Sequence, residues 1–132
     1  MSLVKTVFLV DDDQDDRFFL RQAIEEAGAS IDIVEAENGL ELLSLIQQDK
    51  LTSITLILLD MNMPKMNGLE TIAAIRSDPK ISSVPVVMIS TSSNPNLIES
   101  AYRAGVNNFI TKPSSFEGFT DLSHQLINSF LS

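Results

Sequence analysis

At 132 residues with 44% hydrophobic side chains, the chain is sized for one compact domain and leaves little room for a second. It contains no cysteine, which removes disulfide frameworks and thiolate metal sites and agrees with a reducing compartment. A net charge of −9 argues against binding a phosphate backbone, so direct nucleic-acid binding is not expected. The longest apolar runs, such as ITLILL, are too short to span a bilayer, and the N-terminal MSLVKTVFLVDDD has none of the features of a signal peptide. The expected location is therefore the cytoplasm, away from membranes.

In chain order, the run TVFLV reads as a strand. It is followed by a helical stretch in which Leu20, Ala23, Ile24 and Ala27 share one face, with Gly28 as its expected stop. IDIVEA alternates as a second strand, and the Asn38-Gly39 turn opens a helix through LELLSLIQQ. ITLILLD is nearly continuously apolar, as a central parallel strand covered on both faces requires. The next helix, from about Leu69 to Arg76, must end by Asp78, because Pro79 disfavours helical geometry in the residue before it. VPVVMIS is the fourth strand, with Pro85 near its start. Asn94 is placed to cap a fourth helix, with Pro95 at its first position and Gly105 at its end. NFIT is a short fifth strand, and Phe119, Leu122, Leu126 and Phe130 mark a last amphipathic helix. Five repeats of strand then helix, with connections too long for hairpins, predict an α/β fold: a doubly wound five-stranded parallel sheet with helices on both faces.

In such folds chemistry gathers beyond the carboxyl ends of the strands. The first strand ends in FLVDDDQDD and the third on the lone Asp60, so Asp11, Asp12 and Asp60 are expected in one pocket. At about 4 Å each like-charge pair costs roughly 1 to 4 kcal/mol, which calls for a counterion. Oxygen donors without histidine or cysteine select a hard cation, and an open site that keeps its waters suits Mg²⁺. The fourth strand ends on the hydroxyl of Ser90, and the fifth is followed by Lys112-Pro113. Singly, each of these is an ordinary turn or surface residue. Together they make a phosphoryl-transfer site, in which a lone carboxylate attacks phosphorus while cation, ammonium and hydroxyl hold the oxygens.

The stretches VDDD, DMNMPKMNG, VVMISTS and FITKP, in this order and spacing, resemble the receiver domain of two-component response regulators, the CheY-like, flavodoxin-like type. The likeness runs from about Val4 to Leu131. It implies that Asp60 is the phosphoacceptor and that Asp11 and Asp12 hold Mg²⁺, their adjacency to the strand selecting them over Asp13, while Asn62 adds a backbone carbonyl. It further implies that Ser90 is a switch hydroxyl, Phe109 an aromatic switch and Lys112 the phosphate-binding cation, followed by a cis bond to Pro113. Position 109 is Phe where Tyr is frequent, so packing alone must carry its part of the signal. The sequence ends after the fifth helix, so residues 1–132 are expected to be a stand-alone receiver without an output domain. Its expected partners are a histidine kinase or His-containing phosphotransfer protein upstream and, downstream, a target protein or a second copy of the chain. It is a switch more than an enzyme, with only Mg²⁺-dependent self-phosphorylation and autodephosphorylation.

Three other readings are weaker. Asp11, Asp13 and Asp15 imitate a calcium loop, but position 16 is Asp instead of Gly and position 22 Gln instead of Glu. An Asp-nucleophile phosphohydrolase would resemble D-x-D at the nucleophile strand, whereas the second position here is Asn62, and the chain has no room for a substrate cap. A phosphorylation-silent adaptor has no need of Asp60, Lys112, Ser90 and the acid pair. His124, the lone histidine, reads as a surface residue of the last helix, and of the adjacent Phe18 and Phe19 one must be exposed.

Overall fold

The computed structural model describes residues 5–27, 31–48 and 54–131; the expected stop at Gly28 lies outside them. Five strands, β1 (Lys5–Val10), β2 (Ile31–Ala36), β3 (Ile54–Asp60), β4 (Val86–Ser90) and β5 (Asn108–Thr111), alternate with α1 (Gln14–Ala27), α2 (Gly39–Gln48), α3 (Gly68–Ser77), α4 (Pro95–Ala104) and α5 (Phe116–Leu126). The strands form one parallel sheet in the order β2-β1-β3-β4-β5. The expected doubly wound architecture is present. Two details differ from expectation: β4 begins after Pro85, which has no N–H to give to the ladder, and the last helix loosens into a π turn over Ile127–Leu131 that tucks Leu131 into the core.

Because side chains alternate across a strand, the sheet sorts its apolar residues into two layers. Phe8, Val10, Ile57, Leu59, Val86 and Met88 pack on one face against Leu42 of α2, Ile72 and Ile75 of α3 and Ala101 of α4. Val7, Leu9, Leu56, Leu58, Val87 and Ile89 pack on the other against Leu20 and Ile24 of α1 and Phe119, Leu122 and Leu126 of α5. Truncating any one of the fully buried leucines costs about 2 to 5 kcal/mol. Phe18 is 58% exposed and Phe19 half-buried beneath it, the division that adjacent helical positions require.

Local chemistry sets the helix ends. Asn67 and Glu70 form a reciprocal capping box at the start of α3. Asn94 caps α4, Pro95 takes its first turn, and Gly105 ends it at φ 115°, a left-handed conformation that favours glycine. Gly68 is required for space: a Cβ there would lie 2.7 Å from the carbonyl oxygen of Asp60 and 2.9 Å from Cα of Met61. Between them the loop turns tightly, with Lys65 at φ 66° and the Met66 N–H donating to Pro64 O. At the opposite end of the sheet the Arg76 guanidinium donates to the carbonyls of Ser82, Val84 and Gly105 and to Oδ1 of Asn107.

Candidate functional site

Parallel pairing brings the strand ends level. Val10 pairs with Leu59, Asp60 with Ile89, and Ser90 with Thr111. The ladder runs one residue further at two points, since Asp11 N–H donates to Ala36 O at 3.0 Å and Lys112 N–H to Ser90 O at 2.7 Å. These bonds fix the backbones of both residues before their side chains are considered. Parity then sorts the side chains. Asp11, Asp60 and Lys112 continue the rows of Leu9, Leu58 and Ile110, all on the α1/α5 face, whereas Ser90 and Phe109 follow the row of Met88 on the α4 face.

On the α1/α5 side the carboxylates of Asp11, Asp12 and Asp60 each bring an oxygen within 4.8 Å of the other two. Asp11 and Asp60 are buried and Asp12 is exposed at the mouth. Asp13 serves the helix instead, since its Oδ1 accepts from the N–H groups of Asp15 and Asp16 and caps α1. The donor set of oxygens without imidazole or thiolate fits a hard divalent cation. Asn62, exposed, follows Asp60 by two residues in the β3–α3 loop.

The ammonium of Lys112 enters from the β5 side. It lies 2.8 Å from Asp16 Oδ2, 3.0 Å from Asp11 Oδ2 and 3.5 Å from Asp60 Oδ1. Burial acts to lower its pKa, but the bonds from Asp16 and Asp11 outweigh it and leave it raised. Burial raises Asp60, and the charge of Asp11 adds to it, so that Asp60 is pushed up to about 7 despite Lys112. Asp11 is raised as well, chiefly by burial. This pocket holds more negative charge than one ammonium neutralises.

Sequence reasoning did not find Asp16 or Arg17. Asp16 makes the shortest contact to Lys112, although 96 positions separate them. Arg17, buried, donates from Nη1 to the carbonyl of Asp11 at 2.6 Å and from Nε to Glu35, which also binds Arg21. The only signal was positional: both lie in the first turns of the helix that follows the acid pair.

On the α4 side Ser90 is fully buried, and its Oγ accepts from Ser92 N–H at 3.1 Å. Ser92 Oγ accepts in turn from Asn94 N–H, and Asn94 Oδ1 from Asn96 N–H, so a short relay of side chain turns leads from Ser90 to the start of α4. Phe109 is half-buried against the same core layer and pairs across the sheet with Met88. Its N–H, on the open edge of β5, is covered by the Tyr102 hydroxyl of α4 and by Asn108 Oδ1. The expected cis bond between Lys112 and Pro113 is corrected: no peptide bond among the described residues is cis. The trans form is favoured by about 0.5 to 1 kcal/mol before proline. With it Lys112 already reaches the pocket, so nothing there demands the other isomer. His124 is exposed on α5, far along the helix from the strand ends.

The profile of the response regulator receiver domain matches residues 7–123. The chain belongs to the response regulator receiver family. This receiver is 33% identical over 107 residues to a chemotaxis protein CheY homolog of Campylobacter jejuni, covering 81% of this chain and 80% of the relative. It is 34% identical over 107 residues to chemotaxis protein CheY1 of Helicobacter pylori, covering 81% and 84%. Response regulator Rcp1 of Synechocystis is 30% identical over 112 residues, covering 82% of this chain and 76% of Rcp1. Among solved structures, the phosphorylated cyanobacterial phytochrome response regulator RcpA matches the receiver with a TM-score of 0.91 at 31% identity, over 98% of this chain and 96% of that one. The Mn²⁺-bound form of Rcp1 matches with a TM-score of 0.85 at 26% identity, over 95% and 93%. The receiver is thus a protein of two-component signalling. Among its described residues no helix is long and apolar enough to cross a membrane.

Proposed function

We propose that residues 1–132 act as a single cytoplasmic receiver that takes a phosphoryl group onto Asp60 from a phosphohistidine of a histidine kinase or phosphotransfer protein. The observation that carries this is the buried Asp60 carboxylate facing Asp11, Asp12 and the Lys112 ammonium at one sheet edge. A phosphorylated relative and a metal-bound one with the same fold support it. Asp60 attacks phosphorus in line, the P–N bond breaks, and the imidazole leaves with the electron pair and takes up a proton. Lys112 balances the charge that gathers on the transferred oxygens. Asp11, Asp12, Asp60 and the backbone carbonyl of Asn62 would hold Mg²⁺. Bound there, Mg²⁺ supplies charge neutralisation for the phosphoryl oxygens. Water later attacks phosphorus and cleaves the bond to Asp60, which returns the site to its starting state.

The readout is proposed for the other face. Ser90 Oγ is an acceptor for Ser92 and keeps its own proton for a phosphoryl oxygen. A shift of that hydroxyl pulls on the relay to α4 and on the layer that holds Phe109. The face made by α4, β5 and α5 then presents a different shape to a target protein or to a second copy of this chain, and differential affinity for the two shapes completes the switch.

The test is mass spectrometry after incubation with acetyl phosphate and Mg²⁺. One added phosphoryl group is expected in the wild type and none in Asp60→Asn; an equal addition in the variant overturns the assignment. Mg²⁺ at one hundred times its dissociation constant should also stabilise the fold by about 2.7 kcal/mol.

A further inference from the structure

We propose that Asp16 is a positioning residue that restrains Lys112: it draws the ammonium toward α1 and away from Asp60, and so limits how fast the site accepts a phosphoryl group. This rests on the function proposed above. The ammonium has three N–H donors. Asp16 and Asp11 take two of them at 2.8 and 3.0 Å, while Asp60 at 3.5 Å lies beyond ordinary N–H···O length. The group that would have to stabilise the transferred oxygens is therefore engaged elsewhere, and most closely by a residue that is not among the three clustered carboxylates.

Asp16 is well held in this position. Its own N–H is bound by the cap residue Asp13, and its neighbour Arg17 is anchored both to the Asp11 carbonyl and to Glu35. The contact is also sheltered, with 9% of the Lys112 side chain and 19% of that of Asp16 exposed, and a charge-assisted bond out of full solvent is about twice as strong as a neutral one. As the Asp60 oxygen attacks acetyl phosphate, the bond from phosphorus to the acetyl oxygen breaks and acetate leaves with the electron pair. Negative charge on the transferring oxygens then competes with Asp16 for the same ammonium. A neutral residue at position 16 concedes that competition.

The experiment measures the phosphorylation rate with acetyl phosphate and Mg²⁺ in wild type, Asp16→Asn, Asp16→Ser and Asp16→Glu, with melting curves to verify folding. Both uncharged variants should be three- to tenfold faster and Asp16→Glu close to wild type. In a Lys112→Met background the gain from Asp16→Asn should fall below twofold. An unchanged or slower Asp16→Asn overturns the proposal, as does a gain that persists undiminished without Lys112. A second readout needs no phosphoryl transfer. In double-mutant cycles on unfolding in EDTA, the coupling of Asp16 to Lys112 should exceed that of Asp60 to Lys112, and the reverse order overturns the restraint. A wild type that takes no phosphoryl group but retains this order of couplings refutes the proposed function while the contact itself stands.

Discussion

Replacing Asp60 by Asn should stabilise the metal-free fold, and the gain should depend on pH in a definite sense. An ordinary aspartate titrates at 3.8 and this one at about 7, because it is buried and faces Asp11. Between those values the folded chain binds the proton more tightly than the unfolded chain, so stability falls as pH rises through that window, and the penalty is complete above 7. At about 1.4 kcal/mol per pH unit the interval corresponds to roughly 4 kcal/mol. The contact with Lys112 is already contained in the shifted value, and screening by solvent at the open mouth of the pocket reduces the figure to about 2 kcal/mol. For a chain of this length that is roughly 6 to 8 °C in melting temperature. Asn keeps the shape and carries no charge, and Lys112 retains Asp11 and Asp16. Thermal melts in EDTA at pH 5 and pH 8 check it: the variant should gain far more at pH 8 than at pH 5. A gain independent of pH, or a variant less stable at pH 8, would refute the reasoning.

Gly68→Ala should cost about 1 to 3 kcal/mol in denaturant unfolding, since the new methyl group meets backbone atoms of Asp60 and Met61 that have nowhere to move; the same variant should lose part of the stabilisation by Mg²⁺. Lys65→Gly should raise stability by about 1 kcal/mol by relieving a positive φ in the loop, read as a higher unfolding midpoint. Ser123→Ala should also stabilise, by about 1 kcal/mol, because its hydroxyl is buried without a hydrogen-bond partner among the described residues. Arg17→Met should cost about 1 to 3 kcal/mol, since the buried carbonyl of Asp11 loses its donor.

The strand ends were legible because a parallel strand covered on both faces leaves an unmistakable apolar run, and the residue that breaks the run marks the sheet edge. That logic located Asp11, Asp60, Ser90 and Lys112. The face each side chain takes was not legible, because β3 and β4 are apolar on both sides; only the packing, with Leu58 in the α1/α5 layer and Met88 in the α4 layer, puts Asp60 and Ser90 on opposite faces. Helix caps were readable at Asn94 and Gly105, where local chemistry decides. Asp16 and Arg17 were not readable, because the choice of partner by Lys112 is settled by how α1 packs beside α5 on one face of the sheet, and a surface-like acid in a first turn looks the same with or without that neighbour. The bond before Pro113 was misjudged for a related reason: the isomer depends on what the pocket demands of Lys112.

The Arg76 clamp has a mechanical consequence. Its guanidinium fastens the carbonyl of Gly105, at the end of α4, to the start of β4 and to Asn107. The other end of α4 hangs on the short relay from Ser90. A rod pinned at one end and pulled at the other answers only by swinging about the pin. Over ten residues of α4, about 15 Å of helix, a tilt of about 10° moves the Asn94 end by roughly 2.6 Å while Gly105 stays in place. On the proposed readout, a pull from Ser90 is felt at the Asn94 end of α4 and fades toward Gly105, so the change of shape is confined to the end of the helix nearest the phosphorylation site.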